Sequence, residues 1–250
     1  MKKKFAIGSV FLLTYIGFLI ATLPATMLLN QVKTPKNLSV SGVSGSIWHT
    51  HVERMVIGKT SIQKIEAQLS FWSLLTLKPK LSVAFGDPFI AGPEGEFELV
   101  LSQEQAQINN LKLLVKANEI AQQLVLPLPM SAQGDVELTV SSAVIDLQKN
   151  NQCIAAKGSA VWSKASVITL EQNIKLGDFS ADLSCEKGTV ALIVSPKNDL
   201  GLTFSAYMQN KGKISGNGFL KPTAKFPKVL NDILPFLGKK DSQGRYRLFF

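Results

Sequence analysis

Phe179-Ser-Ala-Asp-Leu-Ser-Cys185, Glu186-Lys-Gly188, Thr189-Val-Ala-Leu-Ile-Val-Ser195, Pro196-Lys-Asn-Asp199 and Leu202-Thr-Phe-Ser-Ala-Tyr-Met208 follow one another along the chain. In the first segment Phe179, Ala181, Leu183 and Cys185 fall on one side of an extended backbone and the polar residues on the other, the period-2 signature of a half-buried strand. Glu186 to Gly188 and Pro196 to Asp199 carry turn residues. Leu202, Phe204, Ala206 and Met208 alternate again, Asn210-Lys-Gly212 turns, and Lys213 to Leu220 returns. Four antiparallel strands follow from turn chemistry alone. Such strands wet one face and pack the other, which suits a single curved sheet or a sandwich.

The same alternation extends upstream. Ile65, Ala67, Leu69 and Phe71 share one face against Glu66, Gln68 and Ser70. Phe97, Leu99 and Leu101 do so against Glu96 and Glu98, and Val136, Leu138 and Val140 against Asp135, Glu137 and Thr139. Val40 to Trp48 and Val52 to Ile57 read as extended segments before them. Two stretches break the pattern: Asn118 to Leu124, with a capping residue and an acid in its first turn, and Pro227 to Leu234, with Val229, Leu230, Ile233 and Leu234 at helical spacing. Each predicts a short helix. Arg245 to Phe250 predicts a last strand after a turn at Asp241 to Gly244.

At the other end of the chain, Lys2, Lys3 and Lys4 precede a run from Phe5 to Leu29 that holds no charged residue. As a helix its 25 residues reach ~37 Å, against ~30 Å for a hydrocarbon core. The run exceeds the usual signal-peptide core, and Leu19 and Leu23 spoil the small-residue pattern before Ala21 and Ala25, so retention as an anchor is expected. The lysines hold their end in the cytoplasm and the remainder is exported. The expected organisation is a cytoplasmic tip at 1–4, a transmembrane helix at 5–29, a connector at 30–37 and a β-rich domain at 38–250.

Charge and cysteine usage agree with export. The net charge of the 250-residue chain is +9, but residues 30–210 hold 15 basic and 16 acidic groups, while 211–250 hold 9 and 2. The body is near neutral and lacks the basic face with interleaved aromatics that nucleic acid demands. Cys153 and Cys185 are the only cysteines, and in an oxidising compartment a lone pair is most simply a disulfide, here worth between ~3 and ~4.7 kcal/mol.

Nothing in the chain reads as catalytic machinery. His49 and His51, with Glu53 nearby, share one strand face, but a third and fourth ligand are missing, and exposed polar residues beside Trp48 are the simpler reading. There is no phosphate loop, nucleophile elbow or Cys-His pair at a useful spacing. No enzymatic activity, cofactor or metal is expected.

Gly45-Ser-Ile-Trp48 is echoed by Gly158-Ser-Ala-Val-Trp162, one residue longer, which leaves open a division into two related halves at about 38–125 and 131–250. Trp48, following Gly42 and Gly45, is expected to cover the membrane-proximal end of the core, at a cost of ~3 to 5 kcal/mol if removed; exposed, it would instead be a docking anchor.

Taken together, the Lys-rich start, the uncleaved apolar segment, Gly42-Val-Ser-Gly-Ser-Ile-Trp48, Gly134-Asp-Val-Glu-Leu138 and Cys153 upstream of Gly158 to Trp162 resemble the type II secretion system protein N family. That resemblance implies a single-pass inner-membrane protein with a periplasmic β-rich domain, accessory to the machine that moves folded proteins across the outer membrane. Its implied partners are the inner membrane and other envelope subunits of the secretion system. A second function class is a lipid-binding β-groove, supported by the abundance of one-sided strands.

Overall fold

Lys187 and Gly188 both adopt positive φ, 51° and 77°, the pairing that a two-residue type I′ turn requires and that matches the twist of the strands it joins. Glu186 and Thr189 close that turn. Antiparallel hairpins, joined by turns of several kinds, build the molecule. The computed structural model describes residues 2–29, 38–122, 131–169, 172–208, 213–232 and 234–249.

Helices α1 (Lys2–Ala21) and α2 (Ala25–Leu29) precede strands β1 (Leu38–Ser46), β2 (His49–Ile57) and β3 (Thr60–Leu69). A short helix α3 (Phe71–Leu75) leads to β4 (Lys80–Phe85), β5 (Glu94–Leu101) and β6 (Gln105–Lys116), and α4 (Ala117–Ala121) follows. Then come β7 (Ser131–Asp146), β8 (Gln152–Thr169), β9 (Gln172–Glu186), β10 (Thr189–Val194), β11 (Leu202–Met208) and β12 (Ile214–Leu220). Two 3₁₀ turns, Lys228–Asp232 and Leu234–Leu237, precede β13 (Tyr246–Phe249). All thirteen strands form one antiparallel sheet in sequence order, with β1 and β13 at its edges. At ~4.8 Å between neighbouring strands the sheet is ~58 Å across.

The sheet is curved, and the longest strands show why. Register slips at Gln133/Asp135 between β7 and β8, and at Trp162/Ala165 and Ala165/Ser166 between β8 and β9. Gly134, Lys164 and Gly177 lie at these slips with φ of 99°, 51° and 88°. Bulges bend a strand and raise its twist, and three on adjacent strands make a crease. A side chain at Gly134 is excluded twice over, by its φ and by the Ser163 carbonyl oxygen, which stands where a Cβ would go. Inside the crease Ala165, Val167, Ile174, Leu176 and Phe179 are buried together, with Trp162, Leu202 and Leu230 against them. A second cluster, Leu220, Leu234 and Tyr246, closes the β13 end.

The architecture settles the choice between sheet and sandwich: no second layer of strands covers the first among the described residues. Several expectations are corrected. The apolar run from Phe5 to Leu29 is not one helix. Pro24 lacks the N–H to continue α1; it bridges to Ser46, and the Ile47 N–H donates to the Leu23 carbonyl at 3.0 Å. Among residues whose side chains are described, no helix is by itself long and apolar enough to cross a membrane. Phe71 belongs to α3 and not to the preceding strand, because the Ser73 hydroxyl donates to the Ser70 carbonyl at 2.6 Å and accepts from the Lys80 N–H at 2.8 Å, closing a tight loop. The expected helix at Pro227 to Leu234 is instead a 3₁₀ turn at Lys228–Asp232, followed by a second, Leu234–Leu237, that contains Pro235. The helix expected at Asn118 to Leu124 is α4, which starts one residue earlier at Ala117 and ends at Ala121 with Gln122 as its C-cap; residues 123–124 lie outside the described residues. The turn at Asn210 to Gly212 lies outside the described residues.

Candidate functional site

One face of the sheet carries an almost unbroken apolar row from β2 to β10. Thr50 pairs with Ala67, Ala67 with Val83 and Val83 with Phe97. The same face continues from Gly95 through Leu113, Leu138, Ala160, Ala181 and Val194, each opposite the next. Paired residues share a face, so this row is a continuous floor. Its small members, Gly95, Ala67, Ala160 and Ala181, leave room above them. Two recesses result. One, of about 460 Å³, runs from Ala25 of α2 across β1 to β5 and is walled by Val52, Ile65, Leu69, Val83 and Phe97. The other, of about 290 Å³, lies over β7 to β11 between Val136, Trp162, Phe179, Leu192 and Leu202. Among the described residues no large side chain is fully buried, as expected of an apolar face covered only at its two ends.

The end nearest the N-terminus is joined to α1 and α2. Ala25 is buried against the sheet. The Trp48 indole N–H donates to the Ile20 carbonyl at 3.0 Å, satisfying one of the orphan acceptors at the C-terminus of α1. The Trp48 ring meets Phe71 edge-on at 5.4 Å, and Phe71 meets Trp72 at 5.8 Å. From this point α3 and its following turn hold Phe71, Trp72, Leu75 and Leu77 out to solvent, Trp72 at 74% and Leu77 at 77% exposure. An exposed apolar foot therefore stands where helix and groove meet.

Trp48 itself is half-buried at the β1–β2 turn, so it packs on one side and faces out on the other. The expected cost of Trp48→Ala is about 1 to 3 kcal/mol, one hydrogen bond plus one aromatic pair, less than for a ring enclosed in a core. Trp48→Phe should recover about half of it by keeping the ring contact. Urea midpoints of the full-length chain, wild type against the two variants, check this.

The other singled-out residues take structural places. Gly45, at φ 87°, sits where a Cβ would strike the His49 carbonyl oxygen, and Gly42 faces Glu53 across the hairpin. Gly158 lies in β8 opposite Val140, and Trp162, also in β8, donates its N–H to the Gln133 carbonyl at 2.9 Å and stacks on Phe179 at 5.6 Å. The two tryptophans thus play a similar part, an indole N–H on a backbone carbonyl and a phenylalanine neighbour, from different positions, a turn and a strand. Cys153 and Cys185 form a disulfide between β8 and β9.

The opposite face is polar. His49 and His51 lie on it, opposite Gln68 and Glu66. Lys112 pairs with Glu96 at 2.9 Å, Lys80 with Glu98 at 2.8 Å and Lys116 with Asp135 at 2.6 Å. Glu96 raises the pKa of Lys112 and Asp135 that of Lys116, each chiefly through the hydrogen bond it accepts. Beside β4, the Lys64 ammonium at 2.9 Å and the Phe89 N–H at 3.0 Å hold the Asp87 carboxyl below the usual carboxylate range. At the last turn, the Arg245 N–H and then its guanidinium do the same for Asp241. Among the described residues no three His, Cys, Asp or Glu side chains gather as a metal site would need.

Fold and site together define a single-sheet β-meander protein with an apolar floor, joined at one end to an apolar N-terminal helix. Residues 36–249 match the family described as type II secretion system (T2SS), protein N. The chain is 31% identical over 252 residues to the type II secretion system protein N of Aeromonas hydrophila, covering 99% of this chain and 98% of the relative. It is 24% identical over 247 residues to that of Vibrio cholerae serotype O1, covering 98% and 97%, and 26% identical over 248 residues to that of Klebsiella pneumoniae, covering 98% and 94%. The chain belongs to the type II secretion system protein N family. No solved structure matches it significantly.

Proposed function

We propose that this chain is an inner-membrane-anchored periplasmic component of the type II secretion system, acting in assembly of the machine or in transport of proteins across the outer membrane. The observation that carries this reading is the end-to-end likeness to relatives bearing that name, and the N-terminal helix supports the anchor. Phe11, Leu12, Leu13, Tyr15, Ile16, Phe18 and Leu19 of α1 are all exposed. A helix apolar on every side belongs in lipid or in a core, and the sheet supplies no core for it. The uncharged part of α1, residues 5–21, reaches ~26 Å, close to the ~30 Å depth of a hydrocarbon layer. The lysines at its start favour the cytoplasmic side, and a disulfide suits an oxidising compartment. The sheet edges β1 and β13 offer backbone groups to other envelope subunits by strand addition.

The expected result is full-length protein in the membrane fraction, with residues 31–250 digested by added protease only after the outer membrane is opened. Deleting the chain should lower the amount of secreted protein in the medium. A soluble form with its N-terminus near Ala21 to Met27 would refute the anchor, and unchanged secretion with altered envelope permeability would refute the transport role.

A further inference from the structure

We propose that the recess beginning at Ala25 is a binding site for a phospholipid acyl chain drawn from the outer leaflet of the inner membrane; the proposal rests on the anchoring reading above. The chemistry of the wall selects the occupant. Of the side chains lining the recess only Thr50 carries a polar atom, and its hydroxyl already donates to the Ser46 carbonyl at 3.0 Å. A protein partner needs about one hydrogen bond per 100–200 Å² of interface, and this wall has no side-chain donor left to make one, only the acceptor side of the Thr50 hydroxyl. An alkyl chain asks for none.

Size and position agree. The recess crosses five strands, from Val40 on β1 to Phe97 on β5, and four spacings of ~4.8 Å make ~19 Å. One leaflet's share of a ~30 Å hydrocarbon core is ~15 Å. The volume of about 460 Å³ lies within the ~300–1,000 Å³ of small-molecule sites. The mouth is placed by covalent continuity: Ala25 follows the end of α1 at Ala21 by four residues, and Ile47 and Trp48 hydrogen-bond to Leu23 and Ile20. If α1 crosses the bilayer, its C-terminal end lies at the outer surface, and the mouth lies there too.

The foot fits that setting. Phe71, Trp72, Leu75 and Leu77 are exposed beside the same junction, and Trp with apolar neighbours is the composition of a segment lodged at headgroup level. Leu69, on the recess wall, is two residues from Phe71, and its N–H donates to the Trp48 carbonyl at 3.1 Å. An acyl chain leaving the bilayer at the foot therefore meets the groove wall at once. Beyond β5 the apolar floor continues through Leu113 and Leu138 to the second recess, so the first site opens onto a track.

The test uses full-length protein in vesicles of phosphatidylethanolamine and phosphatidylglycerol doped with a phosphatidylcholine that carries a diazirine at one acyl terminus. After photolysis, label is expected on peptides of β2, β3 and β4 as well as on α1. Ala67→Trp, which fills the recess with an apolar ring, should cut the β2–β4 label about tenfold while leaving the α1 label and the melting temperature unchanged. Val83→Trp should do the same, so a folding defect in either variant leaves the other to decide. Label confined to α1 and the foot in the wild type overturns the proposal. So does wild-type labelling in both folded variants, or a β2–β4 face shielded by a cross-linked second copy of the chain. Loss of label from α1 as well overturns the anchoring reading, and this proposal with it.

Discussion

Phe179→Ala is expected to lower stability by about 3 to 5 kcal/mol, the range for truncating a buried Phe. Phe179 is 9% exposed, lies among Ala165, Val167, Ile174 and Leu176, and stacks on Trp162 at 5.6 Å. It is the large side chain around which the crease closes, and no second layer of the fold can move in to fill the space it leaves. At ~2 to 4 °C per kcal/mol for a domain of this size, the melting temperature should fall by ~6 to 20 °C. Phe179→Leu should fall much less. A shift of under a few degrees for the alanine variant would mean that the crease is held by its backbone ladders and not by this cluster.

Breaking the disulfide should be nearly as costly. Cys153 and Cys185 are 32 residues apart in sequence with Cα atoms 5.7 Å apart, and a closed loop of that length restricts the unfolded chain by ~3.7 kcal/mol on the entropy model. The bond ties the start of β8 to the end of β9 beside the Lys187-Gly188 turn, where the Cys153 N–H also donates to the Gly188 carbonyl at 2.8 Å. Urea denaturation of wild type with and without reductant, and of Cys185→Ala, measures it. The reduced wild type and the variant should unfold at similar midpoints, both well below the oxidised protein. Coincident midpoints for oxidised and reduced wild type would show that the loop is already constrained when unfolded.

The strands from β9 to β13 were legible because turn chemistry and alternation there speak with one voice: Lys187-Gly188 can hardly do anything but turn, and Phe179 to Cys185 alternate without a slip. The longest strands were legible only in part, as at Val136 to Val140 in β7, because each bulge shifts the phase of the alternation. Across Lys164, Trp162 and Ala165 come to one face although their numbers differ by three. Whether the sheet stood alone was also illegible. Alternation says that one face is apolar and is silent about what covers it. The number of Phe71 fits the period of Ile65, Ala67 and Leu69 and so predicts a strand position; the Ser70–Ser73 hydrogen bond that ends the strand is visible only in three dimensions. The candidate site shares both fates. Its floor was present as one-sided strands, and the cysteine pairing followed from their number together with the expectation of export. The meeting of Ile20, Trp48 and Phe71 joins three distant segments, and no local pattern announces it.

The order of the strands also bears on how the chain reaches this shape. Each strand pairs only with its neighbours in sequence, so every ladder closes a short loop and none waits for a distant partner. Folds dominated by such local pairing fold faster than β proteins built on long-range closure. A chain emerging N-terminus first can add one hairpin at a time to a growing edge, with β1 and β2 docked against the end of α1 before β13 has appeared. At every stage the open edges are β1 and the newest strand, and no strand between them presents unpaired backbone to other chains.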